Sequence, residues 1–142
     1  MKKLALLFVS IFMVTMLSAQ EKEIVEFSET TYDYGTIKEE DGKVPHTFTI
    51  TNVSSTAITI KNVRASCGCT VPSWSREPIA PNSNGEISVT YNAKGRPGSF
   101  HKSITVTLSN GTEDFTKMLY IKGTVTKKEV VEEDAISGET TK

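Results

Sequence analysis

Histidine and cysteine are scarce in this chain, with two of each among 142 residues. A structural zinc site wants four ligands, so one could close only if both pairs met. Missing too are a Gly-x-Ser-x-Gly elbow, a His-Glu-x-x-His pair and a phosphate-binding glycine loop. The formal charge is −1 and no basic stripe runs through the sequence, which argues against binding nucleic acid through its phosphates. There is no basic amphipathic helix to suggest a membrane surface, and no convincing helical period anywhere. No catalytic residue, cofactor or metal ion is therefore expected.

One long apolar run exists, and it reads as a processing segment. Lys2 and Lys3 precede the stretch Leu4 to Leu17, and Ser18 and Ala19 supply the small residues a signal peptidase needs. The run is short for a bilayer, which asks for about 20 apolar residues, and Ser10 and Thr15 interrupt it. Residues 1–19 are thus expected to be a cleaved signal peptide. Export to the periplasm or beyond follows, with no membrane insertion after cleavage. The remaining chain carries fourteen basic and seventeen acidic side chains, a formal charge of −3. It is one domain's worth of sequence, in a setting where disulfides persist.

Apolar residues alternate with polar ones from residue 24 to about 126. Phe48 and Ile50 sit between threonines, Ile104, Val106 and Leu108 alternate with serine and threonine along Ser103–Leu108, and Ile87, Val89 and Tyr91 repeat the pattern. Side chains on a strand alternate faces, so each run predicts a strand with one buried and one wet face. Seven runs stand out: Ile24–Phe27, Tyr32–Ile37, Val44–Thr51, Ala57–Val63, Glu86–Tyr91, Phe100–Leu108 and Phe115–Val125. Asp41-Gly42, Asn84-Gly85 and Asn110-Gly111 offer positive-φ turn positions, the last placed like a hairpin tip. Pro72, Pro78, Pro81 and Gly95-Arg96-Pro97-Gly98 mark longer loops. About seven short strands without helices predict an antiparallel β-sandwich over residues 20–126. Residues 127–142 are poor in large apolar side chains and rich in acids, the composition of a disordered tail.

The two cysteines flank a single glycine, Cys67-Gly68-Cys69. They are too close to form a bridge between two sheets. A local disulfide is open to them only if the backbone folds at Gly68, since Cα atoms two residues apart in an extended chain lie about 7 Å from one another. Such a strained bridge is more easily reduced than a structural one. Two free thiols, a soft-metal site such as copper(I) and intermolecular disulfides are the other readings. Just downstream, Trp74 either caps one end of the core or forms an exposed binding patch with Arg76, both types being frequent at interface hot spots.

The remaining polar features read as ordinary. His46 shares the parity of Phe48 and is expected at the shallow end of a buried face, whereas His101 falls opposite Ile104 and is expected in solvent. Glu39-Glu40 and Glu113-Asp114 sit beside turn signals. Asn52-Val53-Ser54 and Asn110-Gly111-Thr112 are glycosylation acceptors only in a host that modifies them.

Taken in order, Tyr34-Gly35-Thr36-Ile37, Phe48-Thr49-Ile50-Thr51-Asn52, Ser66-Cys67-Gly68-Cys69-Thr70, Pro78-Ile79-Ala80-Pro81, Gly85-Glu86-Ile87 and Gly95–Phe100 resemble a bacterial family known as domain of unknown function 1573. Ala80-Pro81-Asn82 stands where that family shows a Pro-Gly turn. The resemblance, over roughly Phe27 to Val125, implies an immunoglobulin-like sandwich akin to major-sperm-protein and Hydin-like domains. It implies that the Cys-Gly-Cys pattern and the tryptophan loop belong to the family, and it carries no activity. The functional expectation is a non-enzymatic module of the cell envelope that binds a protein partner, with a thiol redox or soft-metal role for Cys67 and Cys69 as the alternative.

Overall fold

The alternating runs assemble into two facing sheets in a computed structural model, which describes residues 23–127. The expected leader at 1–19 and all but Lys127 of the expected tail lie outside the described residues. In chain order the strands are β1 (Val25–Phe27), β2 (Thr31–Lys38), β3 (Lys43–Asn52), β4 (Thr59–Ala65), β5 (Thr70–Trp74), β6 (Asn84–Asn92), β7 (Gly98–Ser109) and β8 (Asp114–Thr126). One sheet has the order β1-β3-β6-β5 and the other β2-β8-β7-β4. Between them the inward residues form one core: Phe48, Ile50, Ile87, Val89, Ile104, Val106, Leu108, Leu119 and Ile121 are wholly buried. The period-2 reading therefore places the core correctly.

Three features depart from the expectation, each for a physical reason. First, there are eight strands, because Thr70–Trp74 is a strand rather than a loop. It pairs only with β6, so Pro72 needs to satisfy one ladder alone. The N–H of Asn92 bonds the C=O of Cys69, and that of Ser75 bonds the C=O of Glu86. By the alternation of an antiparallel ladder, Pro72 then sits where its missing N–H faces outward. Pro45 is placed the same way on β3, beyond the reach of the three-residue β1. Second, β2 runs parallel to β8, the only parallel pair among the described strands. The chain pairs β1 with β3 in the first sheet, crosses over, and lays β2 beside the last strand of the second.

Third, Asn84-Gly85 is no turn. It begins β6, and the non-glycine residue with positive φ is Asn82, at 59°. Gly85 is needed instead for space. A Cβ there would lie 2.9 Å from Ile79 Cγ1 and 3.3 Å from Ile50 Cγ2, and would collide with Ile79 Cδ1. Asp41-Gly42 and Asn110-Gly111 do act as turns, with Gly42 at φ 65° and Gly111 at φ 89°. The second closes the β7–β8 hairpin, where the Asn110 side chain accepts the N–H groups of Thr112 and Glu113 at 2.9 and 2.8 Å.

Among the described residues, the polar side chain at 0% exposure is Asn52. Asn52 donates to the carbonyls of Thr56 (2.7 Å) and Ile79 (2.8 Å), and its Oδ1 accepts from the N–H and hydroxyl of Ser54 at 2.9 and 2.7 Å. Both amide hydrogens are thus engaged, and the Asn52 sequon is closed to a glycosylating enzyme in the folded domain.

Candidate functional site

The Cys-Gly-Cys segment is the corner where the chain leaves β4, at the edge of one sheet, for β5, at the edge of the other. To make that turn in four residues, the backbone folds back on itself: the Thr70 N–H reaches the Cys67 C=O at 3.3 Å. The fold brings the Cα atoms of Cys67 and Cys69 to 5.3 Å, and the two residues are joined as a disulfide. Gly68 does not supply this by left-handed geometry, since it is not among the positive-φ glycines, and a Cβ on it would meet nothing within 4 Å. The expectation that the corner depends on glycine's conformational freedom is corrected on that point.

The two cysteines differ in burial. Cys69 is buried at 8% exposure and joins the core, while Cys67 is half-buried, and both line an open depression of about 500 Å³. The Thr70 hydroxyl, itself buried, lies 3.7 Å from each sulfur. The depression's walls include Arg96, Lys102 and the stacked rings of Tyr91 and Phe100, whose centroids are 3.9 Å apart. Arg96 is anchored by its Nη1, which donates to the Lys94 C=O at 2.9 Å. Neither cation takes part in an ion pair among the described residues, and no acidic side chain lines the depression. Burial raises the Tyr91 hydroxyl's pKa, and the Arg96 charge pulls it partly back. The basic lining was not visible in the sequence reading, which took Gly95-Arg96-Pro97-Gly98 only as a loop. Its charge matters because two strands bring it against residues almost thirty positions earlier.

Trp74 sits at the margin of the core. It is half-buried against the core and its Nε1–H donates to the Ile60 C=O at 3.1 Å, tying β5 to the edge of β4. The exposed Arg76 guanidinium lies 4.0 Å from its ring centroid. Val71, three residues before Trp74 on β5 and on the opposite parity, is 64% exposed. His46 lies at the margin of the core, as its parity implies, stacked on Tyr32 and 3.0 Å from Glu29. His101 is exposed and stacks on Tyr120. Tyr34 donates its hydroxyl to the Val44 C=O at 3.1 Å, and burial pushes its pKa to about 12. It is a protonated donor in the core, not a base. Among the described residues no three His, Cys, Asp or Glu side chains gather as a metal site, and no helix is long and apolar enough to cross a membrane.

A sandwich with this order of motifs defines a class. Residues 25–125 match the family described as protein of unknown function (DUF1573), and the chain belongs to it. No curated protein matches. Among solved structures, a protein of unknown function from Porphyromonas gingivalis W83 is similar at 17% identity and a TM-score of 0.59. That match covers 71% of this chain and 46% of the other. The Vibrio cholerae VesB protease is similar at 15% identity and TM-score 0.62, over 72% of this chain and 32% of its own. The YadV chaperone is similar at 12% identity and TM-score 0.56, over 82% and 55%. The chain therefore spans less than half the length of the first two, and at these identities the likeness is one of fold.

The small ring of the Cys67–Cys69 bridge sets an expected result. Closing so short a loop removes little entropy from the unfolded chain. Replacing both cysteines by serine should cost less than the about 2–4 kcal/mol of an ordinary disulfide. Under reducing conditions Cys69→Ser should cost more than Cys67→Ser, because Cys69 is buried in the core as a small apolar residue whereas Cys67 is only partly buried against it. Thermal melts of the three variants check both statements, and equal losses at the two positions would contradict the second.

Proposed function

We propose that this chain is an exported, non-catalytic module of the cell envelope that binds a protein partner along the β4 edge. The single observation that carries the reading is the open backbone of that edge. The Ser66 N–H bonds the Ser103 C=O in phase with β7, so Val63 and Ala65 fall on the outward positions, without a neighbouring strand among the described residues. An extended segment can add there as a further strand. The flanks select its chemistry. Arg64 on β4 and Arg76 after β5 are exposed and outside the ion pairs of the described residues, with Arg76 4.0 Å from the Trp74 ring centroid, and they suit a strand carrying acidic side chains. The outward positions of Pro45 and Pro72 blunt β5 and the open stretch of β3 in the first sheet, whereas β4 carries no proline. Support for export is the Lys2-Lys3 and Leu4–Leu17 leader.

Ala65→Pro tests the reading, because it removes an outward donor as Pro45 and Pro72 already do, without taking a bond from the β4–β7 ladder. Wild-type protein immobilised against its native envelope extract should retain a partner that Ala65→Pro and Trp74→Ala both lose while still melting cooperatively. Retention of the same partner by folded Ala65→Pro would sink the edge as the binding surface. Intact mass of the exported protein should lack Met1–Ala19; their retention would defeat the export claim.

A further inference from the structure

The partner surface leaves the opposite end of the β4–β5 corner unused, and there the disulfide opens onto the basic depression. We propose that Cys67–Cys69 is a redox-active disulfide that exchanges with a small anionic thiol, one carrying carboxylates, drawn into the depression by Arg96 and Lys102. Three independent observations converge on it. The bridge is presented asymmetrically: both cysteines line the depression, but Cys67 is half-buried and Cys69 buried in the core. Two cations without acidic partners among the described residues stand around it, and reactive cysteines are found in partly exposed, electropositive surroundings of this kind. The depression, at about 500 Å³, lies in the range of small-molecule sites.

The chemistry is thiol–disulfide exchange in two displacements. The incoming thiolate attacks Sγ of Cys67, the less buried cysteine, forming a mixed disulfide as the Cys67–Cys69 bond breaks. The electron pair of that bond leaves on Cys69. The thiolate so formed has the Thr70 hydroxyl 3.7 Å away as a donor, and takes up a proton. A second thiolate then attacks the outer sulfur of the mixed disulfide. It departs as the small molecule's own disulfide and leaves Cys67 as a thiol. Two thiols are oxidised, and the cysteine pair gains two electrons and two protons. Arg96 and Lys102 act by concentrating the anion and by stabilising negative charge as it passes among three sulfurs.

The test compares two probes on the oxidised protein, glutathione, which is anionic, and cysteamine, which is cationic, at equal thiolate concentration. Acid-quenched, alkylated samples are followed by mass. Glutathione should open the bridge at least about tenfold faster, in the range charge steering supplies, and raised salt should erase most of that margin. Peptide mapping should place the mixed disulfide on Cys67. Arg96→Gln and Lys102→Gln should each slow glutathione severalfold and leave cysteamine unslowed, with melts showing that the fold is kept. Equal rates for the two probes, a margin indifferent to salt, adducts on Cys69, or a bridge that millimolar glutathione leaves closed would each overturn the proposal.

Discussion

Asn52→Ala should be among the most destabilising single changes in the domain, costing about 2–4 kcal/mol. Its side chain ties the loop that follows β3 to the Ile79 segment. It is itself 0% exposed, donates to the Thr56 and Ile79 carbonyls and accepts from Ser54, the Ile79 bond being the fully buried one. Truncation removes the acceptor of the Ser54 N–H and one donor from each of two carbonyls; the Thr56 C=O keeps the Ser54 hydroxyl at 2.9 Å, and the buried loss falls on the Ile79 C=O. Ile79 keeps its exchange with Ile58, at 3.0 and 2.7 Å, so the loss is local rather than total. Asn52→Asp sharpens the test. The charged carboxylate donates nothing and faces two carbonyls, whereas the neutral acid keeps one O–H donor. Burial raises the pKa of such a group, so the variant's penalty should grow as pH rises above about 4, the ordinary value for aspartate. Urea titrations at low and neutral pH measure it. A loss below 1 kcal/mol for the alanine variant, or a pH-independent penalty for the aspartate, would show that the network holds the fold less than its geometry implies.

The second large effect is expected at Gly85 and contrasts with Gly68. An added Cβ at Gly85 meets the Ile79 side chain and Ile50 within 3.3 Å, and overpacking a formed core costs about 1–3 kcal/mol. The colliding atom at closest range is Ile79 Cδ1, which valine lacks. Gly85→Ala should therefore be rescued in part by Ile79→Val, giving a non-additive pair. Gly68→Ala should change stability by no more than about 0.5 kcal/mol, as at an ordinary surface position. Melts of the four variants decide it. Strict additivity at 79 and 85 would refute the steric account, and a large loss at Gly68 would restore the glycine requirement that the open geometry removes.

What could be read in the sequence was local. Phe48, Ile50, Ile104, Val106 and Leu108 announce their burial by alternation, because one residue's step along a strand turns its side chain over. The family resemblance likewise rested on motifs visible in order, and the match over residues 25–125 agrees with it. What stayed hidden depends on neighbours. Pro72 argues for a loop until it is known that β5 has a partner on one side only. Gly85 looks like half of a turn until Ile79, from another segment, occupies the space its side chain would need. The parallel alignment of β2 with β8 leaves no trace in periodicity, since alternation is the same whichever way the partner runs. The cations beside the disulfide were missed for the same reason: Arg96 and Lys102 lie on a loop and a strand far from Cys67, and nothing in their own surroundings marks them.

That parallel pair also decides how the domain answers a pull. β2 and β8 point the same way, so tension between the segment before β1 and the segment after Thr126 draws the two strands lengthwise past each other. Their ladder, from Thr31 opposite Tyr120 to Lys38 opposite Thr126, is loaded all at once in shear, whereas a hairpin opened from one end yields one bond at a time. Rupture under force follows the unfolding barrier rather than the equilibrium stability. A domain held by this clasp can be modest in a denaturant melt and still resist being stretched between two anchored neighbours.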